Sequence, residues 1–150
     1  MSGRRLGWIV VPALALALVG QAVRASARIE ASRILRRVEA ASLAAVAAGR
    51  APRALFALHL RRLERAAALD PSAVGVLVAR GSQYLILRRP QEAIAAYRQA
   101  LALEPRPEIH LNLARAYRMA GRAEAARRHR EIAVLLDPRL GGEAARRRGR

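Results

Sequence analysis

A pattern written twice at a spacing of 33 residues constrains this 150-residue chain more than any other feature. Between Val74 and Pro138, the residues Leu77, Gly81, Tyr84, Ala93, Tyr97, Ala100 and Pro105 stand where His110, Ala114, Tyr117, Ala126, Arg130, Ala133 and Pro138 stand one period later. A period in this range marks stacked repeats, in which each unit buries its apolar face only against its neighbours. Small residues at Gly81 and Ala93 fall where two helices must approach closely, while Tyr84 and Tyr97 supply bulk between helices. Each copy therefore predicts one helical hairpin. The helices are expected near 72–87 and 90–104 in the first copy, and near 107–119 and 122–136 in the second. Pro90 and Pro107 suit a helix's first turn, and Gly121 suits a helix's end.

Composition sets the class. High Ala and Leu content with few β-branched runs argues for an all-α chain, and this length allows one modest domain plus an anchor. All 28 basic residues are Arg, while Lys, Thr and Cys are absent, a usage that looks like GC-rich bacterial coding. Without Cys there is no disulfide and no thiolate metal site. The net charge of +17 is uneven: residues 1–69 carry +9, residues 70–138 only +4, and the short tail 139–150 another +4. The excess thus flanks the repeats and leaves them only mildly basic.

From Leu6 to Val23 the chain carries no charge, and Gln21 alone interrupts its apolar character. Eighteen helical residues reach about 27 Å, close to the roughly 30 Å of a bilayer core, so a transmembrane helix is expected over 1–23, with Trp8 near one interface. A cleaved signal peptide is the competing reading: Arg4 and Arg5 form a basic lead, and Ala25-Ser26-Ala27 a small-x-small site before Arg28. Counting Arg on either side would keep the repeats in the cytoplasm, whereas the signal-like layout would export them. The expected location is the bacterial inner membrane, single-pass, with the repeats on the periplasmic side. Residues 24–48, free of Pro and Gly, predict a continuing helix with Leu35, Val38, Ser42 and Val46 at helical spacing. Its Arg24, Arg28, Arg33, Arg36 and Arg37 are candidates for anionic lipid contact or for a solvated face. After a break at Gly49 to Pro52, the residues Leu55, Phe56, Leu60, Leu63 and Ala67 give a second amphipathic run, which ends in Leu69-Asp70-Pro71, as the second copy ends in Leu136-Asp137-Pro138.

The two clear copies resemble the tetratricopeptide repeat. Leu77-x-x-Arg80-Gly81-x-x-Tyr84, Ala93-x-x-x-Tyr97 and Pro105 follow that family's pattern, with Arg80 in place of the usual Leu. The second copy keeps Leu113-Ala114-x-x-Tyr117, Gly121, Ala126 and Ala133 through Pro138, and puts Arg130 where an aromatic is customary. The resemblance implies a short right-handed α-solenoid of about three hairpins, so the expected fold is all-α, with the transmembrane helix read from the charge-free run followed by that solenoid. The expected organisation is an anchor or signal peptide over 1–23, a basic helix and degenerate hairpin over 24–71, two repeats over 72–138, and a basic tail over 139–150. In such proteins the first helix of each hairpin lines a concave groove. Carried onto this chain, the lining is Val78, Ser82, Leu85 and Ile86, then Leu111, Arg115, Arg118 and Met119. A protein partner with apolar anchors and carboxylates would fit it.

No catalytic constellation stands out. His59, His110 and His129 fall on separate helices without metal-site spacing, and the few Ser residues have no base nearby in sequence. Neither a phosphate loop nor GxSxG occurs. No enzyme activity, metal or cofactor is therefore expected. The favoured reading is a membrane-anchored scaffold or adaptor that joins proteins, as an accessory subunit or assembly factor of a bacterial membrane or cell-envelope complex. Nucleic-acid binding through the Arg-rich helix and the Arg146-Arg147-Arg148 tail is the alternative of another class; it lacks aromatic stacking platforms. A secreted repeat domain is the third. The tail cannot cover the last hairpin, so Ile132 and Leu135 are expected to be partly exposed, open to a partner or a second copy.

Overall fold

The computed structural model describes residues 3–49 and 52–141, with side chains from Ala13 onward. Six helices follow one another: α1 (Gly3–Ala47), α2 (Arg53–Leu69), α3 (Val74–Ile86), α4 (Pro90–Leu103), α5 (Pro107–Met119) and α6 (Ala123–Leu136). They pack as three antiparallel hairpins, α1/α2, α3/α4 and α5/α6, and each hairpin leans on the next through α2 against α3 and α4 against α5. The first helices also meet one another, α1 with α3 and α3 with α5, whereas among the described residues the second helices do not. One layer of the solenoid is therefore built of α1, α3 and α5.

Three alanines at one position of the second helix make this stacking possible. Ala66, Ala100 and Ala133 are all fully buried, and each accepts, four residues on, the backbone N–H of an acidic residue that ends the helix: Asp70 (3.0 Å), Glu104 (3.0 Å) and Asp137 (2.9 Å). Asp70 and Asp137 then turn the chain in the same way. The Asp70 carboxylate accepts the Ser72 N–H at 3.1 Å and that of Asp137 accepts the Arg139 N–H at 3.0 Å, the side-chain turn that lets a short acidic residue replace the next backbone bond. The first hairpin thus shares its ending with the two clear copies.

Within the hairpins the first helix of each clear copy closes in the same geometry. Arg89 N–H bonds Tyr84 C=O at 2.8 Å and Arg122 N–H bonds Tyr117 C=O at 2.9 Å, the six-to-one bond of a Schellman ending. That ending needs a left-handed residue, supplied by Gly121 (φ 74°) in the second copy and by Arg88 (φ 62°) in the first. A side chain in this region is strained by Cβ crowding, so Arg88 is held there by the surrounding bonds.

Two apolar clusters share α3. Ala31, Val38, Leu63, Ala66 and Val76 join α1, α2 and α3. Leu60, Leu77, Tyr84, Ile94, Tyr97, Ile109 and Leu113 join α2 through α5. Full burial of Leu63 and Leu113 contributes about 1.5–3 kcal/mol each. Tyr97 is fully buried against Gly81: a Cβ at Gly81 would lie 2.4 Å from the Tyr97 ring. The second copy has Ala114 and Arg130 at these two places.

The expected transmembrane helix, and with it the expected single-pass inner-membrane location, is corrected by this architecture. Among the described residues no helix is long and apolar enough to cross a membrane. Leu6 to Val23 is not a separate span but part of the 45-residue α1, which continues through Arg24, Arg28, Arg33, Arg36 and Arg37 to Ala47. The side chains of residues 1–12 lie outside those described. Over the described part the charge-free run is Ala13 to Val23, about 16 Å of helix at 1.5 Å per residue and roughly half a bilayer core. From Ala13 to Ser26 its residues are exposed apart from half-buried Gly20. Packing on α2 and α3 begins further along, with Ala31, Ile34, Leu35 and Val38; Val46, at the same helical spacing, is 65% exposed. Most of the 139–150 tail, from residue 142, also lies outside the described residues.

Gly81→Ala is expected to lower stability by about 1–3 kcal/mol through overpacking, despite the better helix propensity of Ala. Urea unfolding checks it. Because the loss is a clash with one ring, Gly81→Ala added to Tyr97→Leu should cost little more than Tyr97→Leu alone; strictly additive losses would disprove the contact as its cause.

Candidate partner-binding surface

The layer of first helices holds the residues that the repeat register singles out, and it divides them. Val78 and Leu85 are half-buried and pack against the main core, and Leu111 is half-buried as well. Ser82 is engaged: its hydroxyl donates to Val78 C=O at 3.2 Å, and its oxygen lies 3.1 Å from the Tyr97 hydroxyl. Ile86 (44% exposed), Met119 (40%), Arg115 and Arg118 remain open. These four lie in the C-terminal halves of α3 and α5, and Ile86 and Met119 are equivalent helix-terminal positions one period apart. Arg118 in the last turn of α5 is also well placed against the negative end of the helix dipole.

Beneath this surface the Tyr97 phenol titrates above its ordinary value because of burial, opposed by its bond to Ser82 and by the positive field of Arg115. Arg115 thus acts on the floor of the layer as well as on solvent. Among the described residues, half-buried Arg80, which occupies a customary Leu position, has no acceptor for its Nε, and the buried Gln83 has no donor for its Oε1.

Arg24, Arg28, Arg33, Arg36 and Arg37 are all exposed on α1. At about 100° per residue they fall on opposite sides of the helix, Arg33 being about 180° from Arg24, so they form a charged sleeve and not a single plane. Glu30 of the same sleeve pairs with Arg65 of α2 at 3.5 Å.

Folding also brings the three histidines into two side-chain pairings that the linear sequence does not show. Ser42 Oγ lies 2.9 Å from His59 Nδ1, joining α1 to α2. Burial first, and then the nearby Arg62, hold His59 below the usual imidazole range. The ring is fully buried and, among the described residues, its Nε2 meets no partner, so this pair lacks the access and the orienting third group of a Ser–His nucleophile. Its role is to pin α1 on α2. In the last hairpin His110 of α5 and His129 of α6 meet at 3.0 Å between their Nδ1 atoms. Among the described residues no group of three or more His, Asp or Glu could hold a metal ion. The signal for the second pair is in the repeat register, since His110 and His129 are one period from Leu77 and Ala96, both buried in the core.

On the outer side of α6, Ile132 is half-buried and Leu135 is 80% exposed. The α4 residues that receive α5, Ile94 and Tyr97, are buried; their α6 counterparts are Arg127, exposed and paired with Glu124, and half-buried Arg130. A further hairpin seated as α5 sits on α4 would have to desolvate both guanidinium groups.

Comparison with known proteins agrees with this geometry. The tetratricopeptide-repeat family model matches residues 84–137. Among solved structures, TTC0263, a thermophilic TPR protein of Thermus thermophilus, is 26% identical with a TM-score of 0.66, over 92% of this chain and 77% of that one. MamA MSR-1 is 26% identical (TM-score 0.57, over 70% and 58%), and MamA AMB-1 is 31% identical (TM-score 0.53, over 55% and 49%). The chain therefore spans less than two thirds of these MamA chains. No curated protein matches.

Ser42→Ala is expected to cost about 1–3 kcal/mol, because it leaves the buried His59 ring with neither nitrogen bonded. Adding His59→Leu should recover much of that loss, since both polar groups then go. A double variant less stable than Ser42→Ala in urea unfolding would refute this account.

Proposed function

The chain is a tetratricopeptide-repeat protein over residues 84–137, and from that premise we propose that it is a protein–protein interaction scaffold whose partner lies along the layer of α1, α3 and α5. The observation that carries this reading is the division within the layer. Val78, Ser82 and Leu85 are engaged in the packing of the hairpins, whereas Ile86, Met119, Arg115 and Arg118 are left open on the C-terminal halves of α3 and α5. Two apolar side chains beside two guanidinium groups suit an extended or helical segment with apolar anchors and carboxylates. The proximity of Arg115 to the phenol of Tyr97 supports a role for Arg115 at the middle of the contact, where partial desolvation strengthens charge pairing, and Arg118 belongs at the rim. Arg dominates the exposed charge of the chain, net +17, which steers acidic partners toward it and repels basic ones.

The test is binding of the full chain to immobilised peptides that combine two apolar anchors with Asp or Glu, alongside counterparts in which each acid is replaced by Lys. The acidic set should bind, more weakly as salt is added. Arg115→Glu with Arg118→Glu should weaken binding roughly tenfold or more at unchanged helicity. Equal binding of both peptide sets, or an unaltered affinity of the double variant, would remove this surface from consideration.

A further inference from the structure

The last hairpin is held differently from the one before it. In α3/α4 the contact between the helices includes Leu77 and Ala96, both apolar and buried. One period later the same two positions are His110 and His129, with Nδ1 atoms 3.0 Å apart. His129 also stacks on Tyr117, ring centroids 5.3 Å apart and planes 14° from parallel. Helix α6 buries less than α4 does: Ala133 is its one fully buried residue, with Ala125, Ala126, Ile132 and Val134 half-buried, where α4 buries Ala93, Ile94, Ala96, Tyr97 and Ala100. The imidazole pair thus puts a polar, titratable contact where the preceding hairpin has an apolar one.

We propose that His110 and His129 form a proton-operated latch on the last hairpin, closed while at most one of the rings is protonated and open when both are. The hydrogen-bond inventory of imidazole dictates this behaviour. With both rings neutral, one Nδ1–H donates and the other Nδ1 accepts. A first added proton leaves that bond in place and makes it charge-assisted. A second proton puts two N–H donors face to face at this distance, and the bond is replaced by repulsion between two like charges.

The surroundings sharpen the response. Tyr117 of α5 lies against His129. Arg98 of α4 and Arg128 of α6 add positive potential at His129, together with His110. Among the described residues, the charged groups that shift these rings are His110, Arg128 and Arg98, all cationic or able to become so, and none is a carboxylate or comes from α3. Burial is the leading cause that holds both rings below the usual imidazole range. Lowered folded-state values mean that the unfolded chain binds protons first as pH falls. The stabilisation is thus complete above the ordinary imidazole value of 6.5 and is lost as pH drops from there through the folded values. Because the two rings share one bond, they titrate as a pair.

Amide hydrogen exchange on the full chain, normalised for the intrinsic rate at each pH, tests the latch. Between pH 7.5 and pH 5.0 the α6 amides should lose protection roughly tenfold or more, while those of α3 and α4 keep theirs relative to α6. Replacing the pair by the residues of the preceding copy, His110→Leu with His129→Ala, should abolish the α6-specific loss. An α6 response that is absent in the natural sequence, or equal in the variant, would overturn the proposal. Imidazole NMR on the unmodified protein is an independent check: the pair should titrate in two coupled steps, and two independent single-site curves would also overturn it.

Discussion

The close approach of Gly81 to the ring of Tyr97 is the contact on which the central part of the solenoid depends. Tyr97 is fully buried, its hydroxyl lies 3.1 Å from Ser82, and a single added methyl group at Gly81 would enter the ring. Helix α3 can then lie close enough to α4 for Leu77, Ala93 and Ala100 to bury together, and Tyr97 also takes part in the cluster with Ile109 and Leu113 of α5. Protein interiors pack at near-crystalline density, so such a contact fixes the separation and rotation of both helices at once. The open surface of α3 and α5 inherits its geometry from that register.

The second copy keeps the path of the chain while changing what holds it. Ala114 and Arg130 replace Gly81 and Tyr97, and His110 and His129 replace Leu77 and Ala96. Bulk thus leaves the seat of a following hairpin, and charge enters it at Arg127 and Arg130. A repeat protein is stabilised by the sum of its units and their neighbour contacts; of the other five helices, α6 meets α5 among the described residues. An imidazole hydrogen bond at that place makes the terminal unit responsive to protons where an apolar pair would not be.

Much of the fold can be read from residue spacing, because a repeat states its contacts twice. Pro90, Pro107 and Gly121 mark helix ends by backbone chemistry alone, and the family match over 84–137 falls within the two copies, from the end of α3 to the end of α6. The division of the candidate surface is less legible. Val78 and Ile86 are equally apolar in sequence, yet one is packed on the core and the other is 44% exposed, since exposure depends on which neighbouring helix arrives. The long apolar run near the start misled for a related reason: window hydropathy sees Leu6 to Val23, whereas the helix that forms there carries on through seven charged residues between Arg24 and Glu39.

The sequence by itself determined the helical class, the period of 33 residues and the endings of the helices, because all three follow from local backbone preferences and from side-chain periodicity. Only the tertiary structure decided which side chains meet across 17 or 19 residues of chain, as Ser42 does with His59 and His110 with His129. It also decided that Arg115 and Arg118 stay open while Ser82 does not. Those outcomes depend on the angle and separation at which hairpins stack, quantities set by the joint packing of several helices at once.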